Sequence, residues 1–402
     1  MVRPLPNIIR RTMAYRLNPL LGAVVEPPIA EVQGWVAGRT GGPPLIDMAQ
    51  AVPRYAPPET MTRHLQQRLA DPDIVRYAPI VGLPDLRAAF AAHLAGIYGG
   101  RIAAENVAVT AGCNQAYCLV MMTLAQAGDE VILPLPYYFN HQMWLDMLGV
   151  RAVHLPFRPD RDGVPDPAEA AALIGPRTRA IVLVSPNNPT GAIYPPETIA
   201  EFAALARRHG IALVLDETYK DFLPTDGAAH GLFADTEWPE TLVQLYSFSK
   251  AFAMAGHRVG AVTASPALIA ELAKAMDCVA ICAPRLGQEA ALYGLGHLEP
   301  WVAGNRATMR ERVTAVEGVF RSNASGYALV SCGAYFAYVR HPHTGRPAKE
   351  VARHLARDLG ILAVPGSAFG PGQEDFVRFA FANVGAEAMP EMARRLAESR
   401  IG

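Results

Sequence analysis

The chain has 402 residues, of which 51% are hydrophobic, so it is long enough for two domains with a large buried core. Its 36 lysines and arginines nearly balance 37 acidic residues, which excludes the strong positive field that draws nucleic acid or an anionic membrane. Five cysteines, an odd number without a CxxC pair, favour a reducing compartment over a disulfide framework or a zinc site. The expected location is therefore the cytoplasm.

The N-terminal segment has some features of an import signal. The first 25 residues carry four arginines and no acid, as organelle transit peptides do. Pro4, Pro6 and Pro19 interrupt the amphipathic helix that such a peptide needs. No apolar run reaches the roughly 18 residues that span a bilayer. The sequence thus favours a cytoplasmic protein without a membrane partner.

Short apolar runs alternate with helical patterns along the first two thirds of the chain, which predicts an α/β fold with a mostly parallel central sheet flanked by helices. The runs lack polar alternation, as expected for strands buried on both faces. The predicted strands are residues 107–110, 130–133, 152–155, 180–185, 212–216, 241–246 and 258–263. The predicted helices include residues 115–125, 138–148, 166–173 and 196–208.

From about residue 288 onward, longer stretches of the sequence have helical periodicity. Residues 335–340 and 377–381 have the pattern of further strands. This predicts a smaller α+β domain. We expect a proline-rich arm that joins the small domain at residues 1–45, a large domain at 46–287 and a C-terminal small domain at 288–402.

A turn of small residues joins the first predicted strand to a helix. Gly112 permits a tight approach of the backbone, and the amides of Cys113 and Asn114 stand at the helix N-terminus, where phosphate binds well. A small-residue turn of this kind is more often structural when no other motif supports it.

Polar side chains follow two of the predicted strands at their carboxyl ends, where ligands sit in open α/β folds. Asn187 and Asn188 stand between prolines after residues 180–185, although good turn residues alone would also explain that loop. Asp216 closes the next strand, with Tyr219 three residues on. Asp216 can pair with a cation, bind a metal or cap a helix, but no second ligand at metal spacing accompanies it.

The tetrapeptide from Ser247 to Lys250 has chemistry suited to an aldehyde cofactor. A lysine that attacks an aldehyde must lose a proton, which burial or a neighbouring cation such as Arg258 promotes. Ser247, Ser249 and Arg258 can bind a phosphate, and Asp216 can pair with a pyridinium nitrogen. The segment also fits the SxxK pattern of serine acylases, but the SDN and KTG elements of those enzymes are missing from the sequence.

The motifs PNNPTG, DETY and SFSKAFAMAGHRVG occur in the order found in the class I/II aminotransferases, fold-type I enzymes that depend on pyridoxal 5'-phosphate, and the chain resembles that family over nearly its whole length. The resemblance implies that Lys250 forms the internal aldimine and then shuttles a proton. It also implies that Asp216 pairs with the pyridinium nitrogen. Tyr219 and Asn188 would bind the cofactor's 3-oxygen. The phosphate ligands would be Gly112, Cys113, Asn114, Ser247, Ser249 and Arg258.

Further positions match the family's substrate and dimer sites. Tyr138 resembles the aromatic residue that stacks on the pyridine ring, although it also fits a core position on a helix. Tyr77, in residues 77–82, resembles the tyrosine that crosses a homodimer to the other subunit's phosphate. Arg378 looks like the ligand of the substrate α-carboxylate, with Asn188 and Ala51 beside it, since a guanidinium binds a carboxylate with two hydrogen bonds. The implied partners are an L-amino acid, a 2-oxo acid and a second copy of the chain.

The implied reaction is a ping-pong transfer of an amino group from an amino acid to a 2-oxo acid, with Lys250 as the base and the pyridinium beside Asp216 as the electron sink. The sequence departs from many relatives at Cys113 and Ala51. It also lacks the second arginine that aspartate aminotransferases carry near residues 276–279, although Arg285 lies close by. Dicarboxylate specificity by that route is not expected.

Other reactions remain open, because β-lyases, cyclising synthases and decarboxylating enzymes use the same scaffold. A cofactor-sensing regulator would need a DNA-binding domain, and the roughly 45 residues before the first family segment are too few for one.

Overall fold

The computed structural model describes residues 15–321 and 325–401. The α-helices in these residues are α1 (Pro19–Ala23), α2 (Pro28–Val36), α3 (Glu59–Leu69), α4 (Pro84–Tyr98), α5 (Cys113–Leu124), α6 (Phe139–Leu148), α7 (Pro167–Leu173), α8 (Pro196–His209), α9 (Phe248–Ala251), α10 (Pro266–Ala280), α11 (Arg285–His297), α12 (Glu299–Arg321), α13 (Ala348–Arg357) and α14 (Met389–Ala397). The strands are β1 (Ile46–Asp47), β2 (Val107–Thr110), β3 (Glu130–Pro134), β4 (Arg151–Leu155), β5 (Thr178–Val184), β6 (Ala212–Asp216), β7 (Leu242–Ser247), β8 (Gly260–Thr263), β9 (Ala328–Gly333), β10 (Phe336–Arg340), β11 (Ile361–Leu362), β12 (Val364–Pro365) and β13 (Phe376–Ala380).

The central sheet has seven strands in the order β2, β8, β7, β6, β5, β3, β4. Strand β8 is antiparallel to both of its neighbours, and all other pairs are parallel. The predicted mostly parallel α/β sheet is therefore confirmed. Each of the seven strands lies where the apolar runs predicted it, with bounds that differ by two residues or fewer.

Alternation along each strand divides the core of this sheet into two layers. In β6, Leu213 and Leu215 pack in the layer formed with α3, α4, α8 and α11. Val214, which lies between them, packs in the opposite layer with α5, α6 and α10. Because the period is two, Asp216 shares the face of Val214, whereas the next residue is directed toward the face of Leu215.

A second, antiparallel sheet has the order β12, β13, β10, β9. Its apolar face packs in a core with α12, α13 and α14. Ile46 and Met48 reach this core because β1 pairs in parallel with β11. The domain limits after residues 45 and 287 stay predictions. Among the described residues, no helix is both long and apolar enough to cross a membrane.

The loop after β5 packs directly against the turn between β9 and β10. Ser331 Oγ donates a 2.8 Å hydrogen bond to the Thr190 carbonyl oxygen. Gly191 has a φ of +75°, and a Cβ atom there would lie 2.6 Å from the Gly333 nitrogen and even nearer to the Phe336 carbonyl oxygen. Since both neighbours are backbone atoms, neither can move aside as a flexible side chain would.

We therefore expect Gly191→Ala to destabilise the fold by about 2–4 kcal/mol, from left-handed backbone strain and overcrowding together. Gly210→Ala is the matched control, because Gly210 also has a positive φ, of +61°, but a Cβ there has nothing within 4 Å. Its expected cost is only about 1 kcal/mol. Urea unfolding followed by circular dichroism measures both. Equal losses in the two variants would contradict the close approach at Gly191.

Candidate active site

A cavity of about 340 Å³ lies at the carboxyl ends of β5, β6 and β7. It brings together most of the residues that the sequence predicted for a cofactor site. The predicted residues that line it are Cys113, Asn114, Tyr138, Asn188, Asp216, Tyr219, Ser247, Ser249, Lys250 and Arg258. Gln50, Val52, Val184, Thr218 and Ala255 also line it and were not predicted.

The Asp216 carboxylate is the acidic group of this cavity, and it is only 4% exposed. The Thr218 amide donates a hydrogen bond of 2.9 Å to its Oδ1, and His141 Nε2 lies 3.5 Å from its Oδ2. Burial raises the pKa of the Asp216 carboxyl, but the bond and charge of His141 and the bonds from Thr218 outweigh burial. The net effect lowers the pKa, so Asp216 is an anion at neutral pH.

His141 is a site residue whose function the sequence did not indicate. It lies in the first turn of α6, and its ring stacks on Tyr117 of α5 with centroids 3.9 Å apart. This stacking fixes the ring with Nε2 toward Asp216. The spacing of three residues from Tyr138 was an available signal, because residues three apart share a helix face.

Lys250 lies in the short helix α9, directly after β7. Its Nζ donates a 2.8 Å hydrogen bond to the Ala51 carbonyl oxygen. Burial, followed by the positive charges of Arg258 and Arg378, lowers the pKa of Lys250 to about 8. A substantial fraction of the amine is therefore neutral near physiological pH, as a nucleophilic lysine requires.

Arg258 and the N-terminus of α5 form an anion-binding corner of the cavity. Arg258 has a left-handed φ of 53°, and its guanidinium donates hydrogen bonds to the carbonyl oxygens of Ala255 (3.0 Å) and Ala111 (3.2 Å). Gly112, with a φ of +89°, admits this guanidinium, since a Cβ atom at residue 112 would collide with Nη2. The N-cap residue of α5 is Gly112, which has no side chain to bond the first N–H groups of the helix, and such groups bind anionic ligands well.

Two serines line the same cavity. Ser247 ends β7, and Ser249 follows in α9. The Ser249 hydroxyl is buried and has no hydrogen-bond partner within residues 15–321 and 325–401. A buried hydroxyl is normally paired, so this one is suited to a ligand.

Arg378 lies on β13 and is 2% exposed. It does not line the cavity itself, but its Nη1 donates a 3.0 Å hydrogen bond to Oδ1 of Asn188, which does. Its Nη2 donates to the Ala49 carbonyl oxygen, and its Nε has no partner among the residues described. The guanidinium lies between the rings of Phe336 and Phe369, at 5.1 and 5.0 Å, and burial lowers its pKa to about 10.

Asn188 and Tyr219 offer hydrogen-bond donors to the cavity. Because the Asn188 oxygen accepts from Arg378, its amide NH₂ group is the part free to bind a ligand. The Tyr219 ring packs edge-on against Tyr335 and Phe336. Burial keeps the pKa of the Tyr219 phenol well above its usual value, so the hydroxyl stays protonated.

Tyr138, immediately before α6, donates a 3.4 Å hydrogen bond to Asn114 Oδ1 and packs edge-on against His141. Tyr77 does not line the cavity in this single chain, and the residue is 75% exposed. Ala51 contributes a carbonyl oxygen to Lys250 rather than a contact with Arg378.

The model of the family "Aminotransferase class I and II" matches residues 43–396. The aromatic aminotransferase of Arabidopsis thaliana is 30% identical over 92% of each chain, and the arginine–pyruvate transaminase of Pseudomonas aeruginosa is 33% identical over 80% of this chain and 81% of its own. The structure of an aspartate aminotransferase from Thermus thermophilus with maleate superposes with a TM-score of 0.88 at 27% identity, covering 96% of this chain and 99% of that one. The chain therefore belongs to the class I and II aminotransferases, enzymes that use pyridoxal 5'-phosphate to move an amino group between an amino acid and a 2-oxo acid.

Proposed function

We propose that this aminotransferase holds pyridoxal 5'-phosphate covalently at Lys250. The observation that carries the proposal is the donor set of one buried cavity. It combines an amine with a lowered pKa for the aldehyde, the Asp216 anion for the pyridine nitrogen, and the corner formed by Arg258 and α5 for the phosphate. The unpaired Ser249 hydroxyl supports the same assignment.

When bound, the cofactor supplies an electron sink that makes the substrate's Cα proton acidic. Asp216 would pair with the pyridine nitrogen, and His141 and Thr218 hold Asp216 in its charged form. Lys250 would hold the aldehyde on Nζ and would also serve as the base for the substrate's Cα proton. Asn188 and Tyr219 would donate hydrogen bonds to the 3-oxygen.

Arg378 binds the substrate α-carboxylate in this proposal. Its unpaired Nε and its contact with Asn188 support that function, because both place donors beside the cofactor cavity. A carboxylate would also offset the cost of burying the guanidinium between two aromatic rings. We infer an amino donor without a second carboxylate, since residues 276–279 contain no arginine and Met276 is buried in the core.

We further propose a homodimer with shared sites, in which Tyr77 completes the phosphate site of the other subunit. The segment around Tyr77 supports this, because it exposes Leu69, Val75 and Ile80 as well, and large apolar side chains close together mark an interface. The cytoplasm is the proposed location. All five cysteines are unpaired, which suits a reducing compartment.

Borohydride reduction of the cofactor-loaded protein, followed by peptide mass spectrometry, tests the covalent attachment. The chain has only four lysines, Lys220, Lys250, Lys274 and Lys349, so the position of the adduct is unambiguous. We expect the cofactor mass on the peptide that contains Lys250, and neither adduct nor amino-group transfer in Lys250→Ala. An adduct on another lysine, or full activity of Lys250→Ala, would overturn the proposal.

The lowered pKa of Lys250 predicts the pH dependence of this labelling. In cofactor-free protein, the initial rate of borohydride trapping with pyridoxal, which lacks the phosphate, should rise through a midpoint near pH 8 as Nζ loses its proton. Arg258→Met should move the midpoint upward, because it removes a neighbouring positive charge. Arg340→Met is the control that leaves the midpoint in place, because Arg340 ends β10 and pairs with Asp375 at the surface. A midpoint near the ordinary lysine value of about 10.4 would contradict the account of Lys250.

Substitution of Arg378 tests the carboxylate site. Arg378→Lys keeps the positive charge but loses the bidentate hydrogen bonding of the guanidinium. We expect kcat/KM for the amino acid to fall about 30-fold or more, equivalent to ~2 kcal/mol. Borohydride labelling of Lys250 should persist. Arg340→Lys, on the neighbouring strand and paired with Asp375 at the surface, should keep normal kinetics. An unchanged kcat/KM in Arg378→Lys would remove this residue from the substrate site.

Mixed dimers test the shared site. Tyr77→Ala should retain cofactor less well, whereas Tyr15→Ala, at another exposed tyrosine, should not. After subunit exchange with inactive Lys250→Ala, activity at limiting cofactor should exceed the sum of the two parents. One site then combines native Lys250 with the partner subunit's Tyr77. If native mass spectrometry shows mixed dimers without this gain, Tyr77 does not serve the other subunit.

A further inference from the structure

A second cavity, of about 510 Å³, lies on the other face of the central sheet, between α4, α11 and α12. It shares no lining residue with the cofactor cavity. Its size is within the range of roughly 300–1,000 Å³ that small-molecule sites occupy. None of its residues has a function in the proposed reaction.

The deep end of this cavity carries Lys220, whose side chain is only 3% exposed. Its Nζ donates to Asp221 Oδ1 at 3.1 Å, lies 3.5 Å from His93 Nε2, and sits 4.7 Å from the centre of the Tyr246 ring. A lysine ammonium carries three N–H donors, so these two polar neighbours leave room for a further acceptor. A buried ammonium is costly unless its donors are satisfied, so Lys220 is suited to an added acceptor.

The Asp221 carboxylate forms an ion pair with Lys220, so Lys220 offers a ligand its remaining hydrogen-bond donor rather than an unpaired charge. Asp221 already accepts hydrogen bonds from Tyr246 and Lys220. Burial, followed by the charge of Lys220, lowers the pKa of His93 to about 4, so His93 is neutral at physiological pH.

Arginines form ion pairs with the acidic residues at the opening of the cavity. Asp226 pairs with Arg306 at 3.2 Å and with Arg310 at 2.8 Å, and Glu299 lies 3.8 Å from Arg306. The walls between the opening and Lys220 are largely apolar, and they include Ile97, Leu223, Leu295 and Val302. The cavity thus combines a buried lysine, ion-paired with Asp221, with apolar side chains along its walls.

We propose that this cavity is a second binding site, which takes a small organic carboxylate with an apolar body. The carboxylate accepts from Lys220 Nζ, and the apolar part packs against the walls. A ligand in this second site could also affect the cofactor cavity, because adjacent residues of the same segments line the two cavities. Lys220 follows Tyr219, and Tyr246 precedes Ser247.

The test uses cofactor-loaded protein with Arg378→Met, so that the carboxylate site of the reaction no longer competes. Isothermal titration calorimetry with 4-methylpentanoate and with α-methylleucine reads binding directly, without turnover. We expect saturable binding with about one site per chain. Tighter binding of α-methylleucine would identify amino acids as the source of the ligand, and equal binding would show that the carboxylate suffices. The absence of saturable binding of either probe would overturn the proposal.

Substitutions in the cavity locate the binding. Lys220→Met keeps the length of the side chain and removes its charge, and we expect the dissociation constant to rise at least 10-fold. Lys274→Met is the matched control, because Lys274 is 72% exposed on α10 and pairs only with Glu271 at the surface. Leu295→Trp fills the cavity and leaves Lys220 paired with Asp221. This variant therefore shows whether the ligand binds in the cavity even if Lys220→Met does not fold. Unchanged affinity in Leu295→Trp, or in a folded Lys220→Met, would contradict the site.

Discussion

The buried carboxylate of Asp216 is the constraint on which the rest of the site depends. An anion at the end of a buried strand is tolerated only when hydrogen bonds compensate for lost hydration. The Thr218 amide and His141 meet that need. His141 is in turn held by Tyr117, so one carboxylate determines the packing of β6 against both α5 and α6. The contacts that offset the cost of burying Asp216 thus also fix the position of its carboxylate and keep it charged.

The alternation of residues along β6 explains why the chain carries two different polar sites back to back. Asp216 faces α5 and α6, whereas Glu217 faces α4 and is 1% exposed. Glu217 accepts hydrogen bonds from Tyr98, at 2.6 Å, and from Gln244, and His230 lies 3.4 Å away. Both carboxylate oxygens of this second anion therefore accept hydrogen bonds on the reverse side of the sheet. Lys220, three residues further along the chain, instead lines the larger cavity.

The sequence predicted the sheet well because its strands are continuous apolar runs between turn residues. Such runs can be recognised in the sequence however the helices pack around them. It also predicted most of the residues from Asn188 to Arg258 that line the cavity, but not Thr218 and Ala255, since the carboxyl ends of neighbouring parallel strands meet at one edge. The antiparallel direction of β8 and the pairing of β1 with β11 were not predicted, because apolar patterns carry no information on strand direction or distant partners. The function of His141 depends on its position between Tyr117 and Asp216, and the cavity at Lys220 depends on helices far apart in sequence, so packing rather than pattern determines both.

The central claim is that the cavity at the carboxyl edge of the sheet is built around one cofactor, with Asp216, Lys250 and the corner at Arg258 each binding a different part of it. A crystal structure of the protein grown with pyridoxal 5'-phosphate tests this most directly. The account predicts electron density continuous with Lys250 Nζ, the ring nitrogen beside Asp216 and the phosphate between Arg258 and the start of α5. Cofactor density at Lys220 in the second cavity, or a phosphate directed toward Arg378, would contradict it.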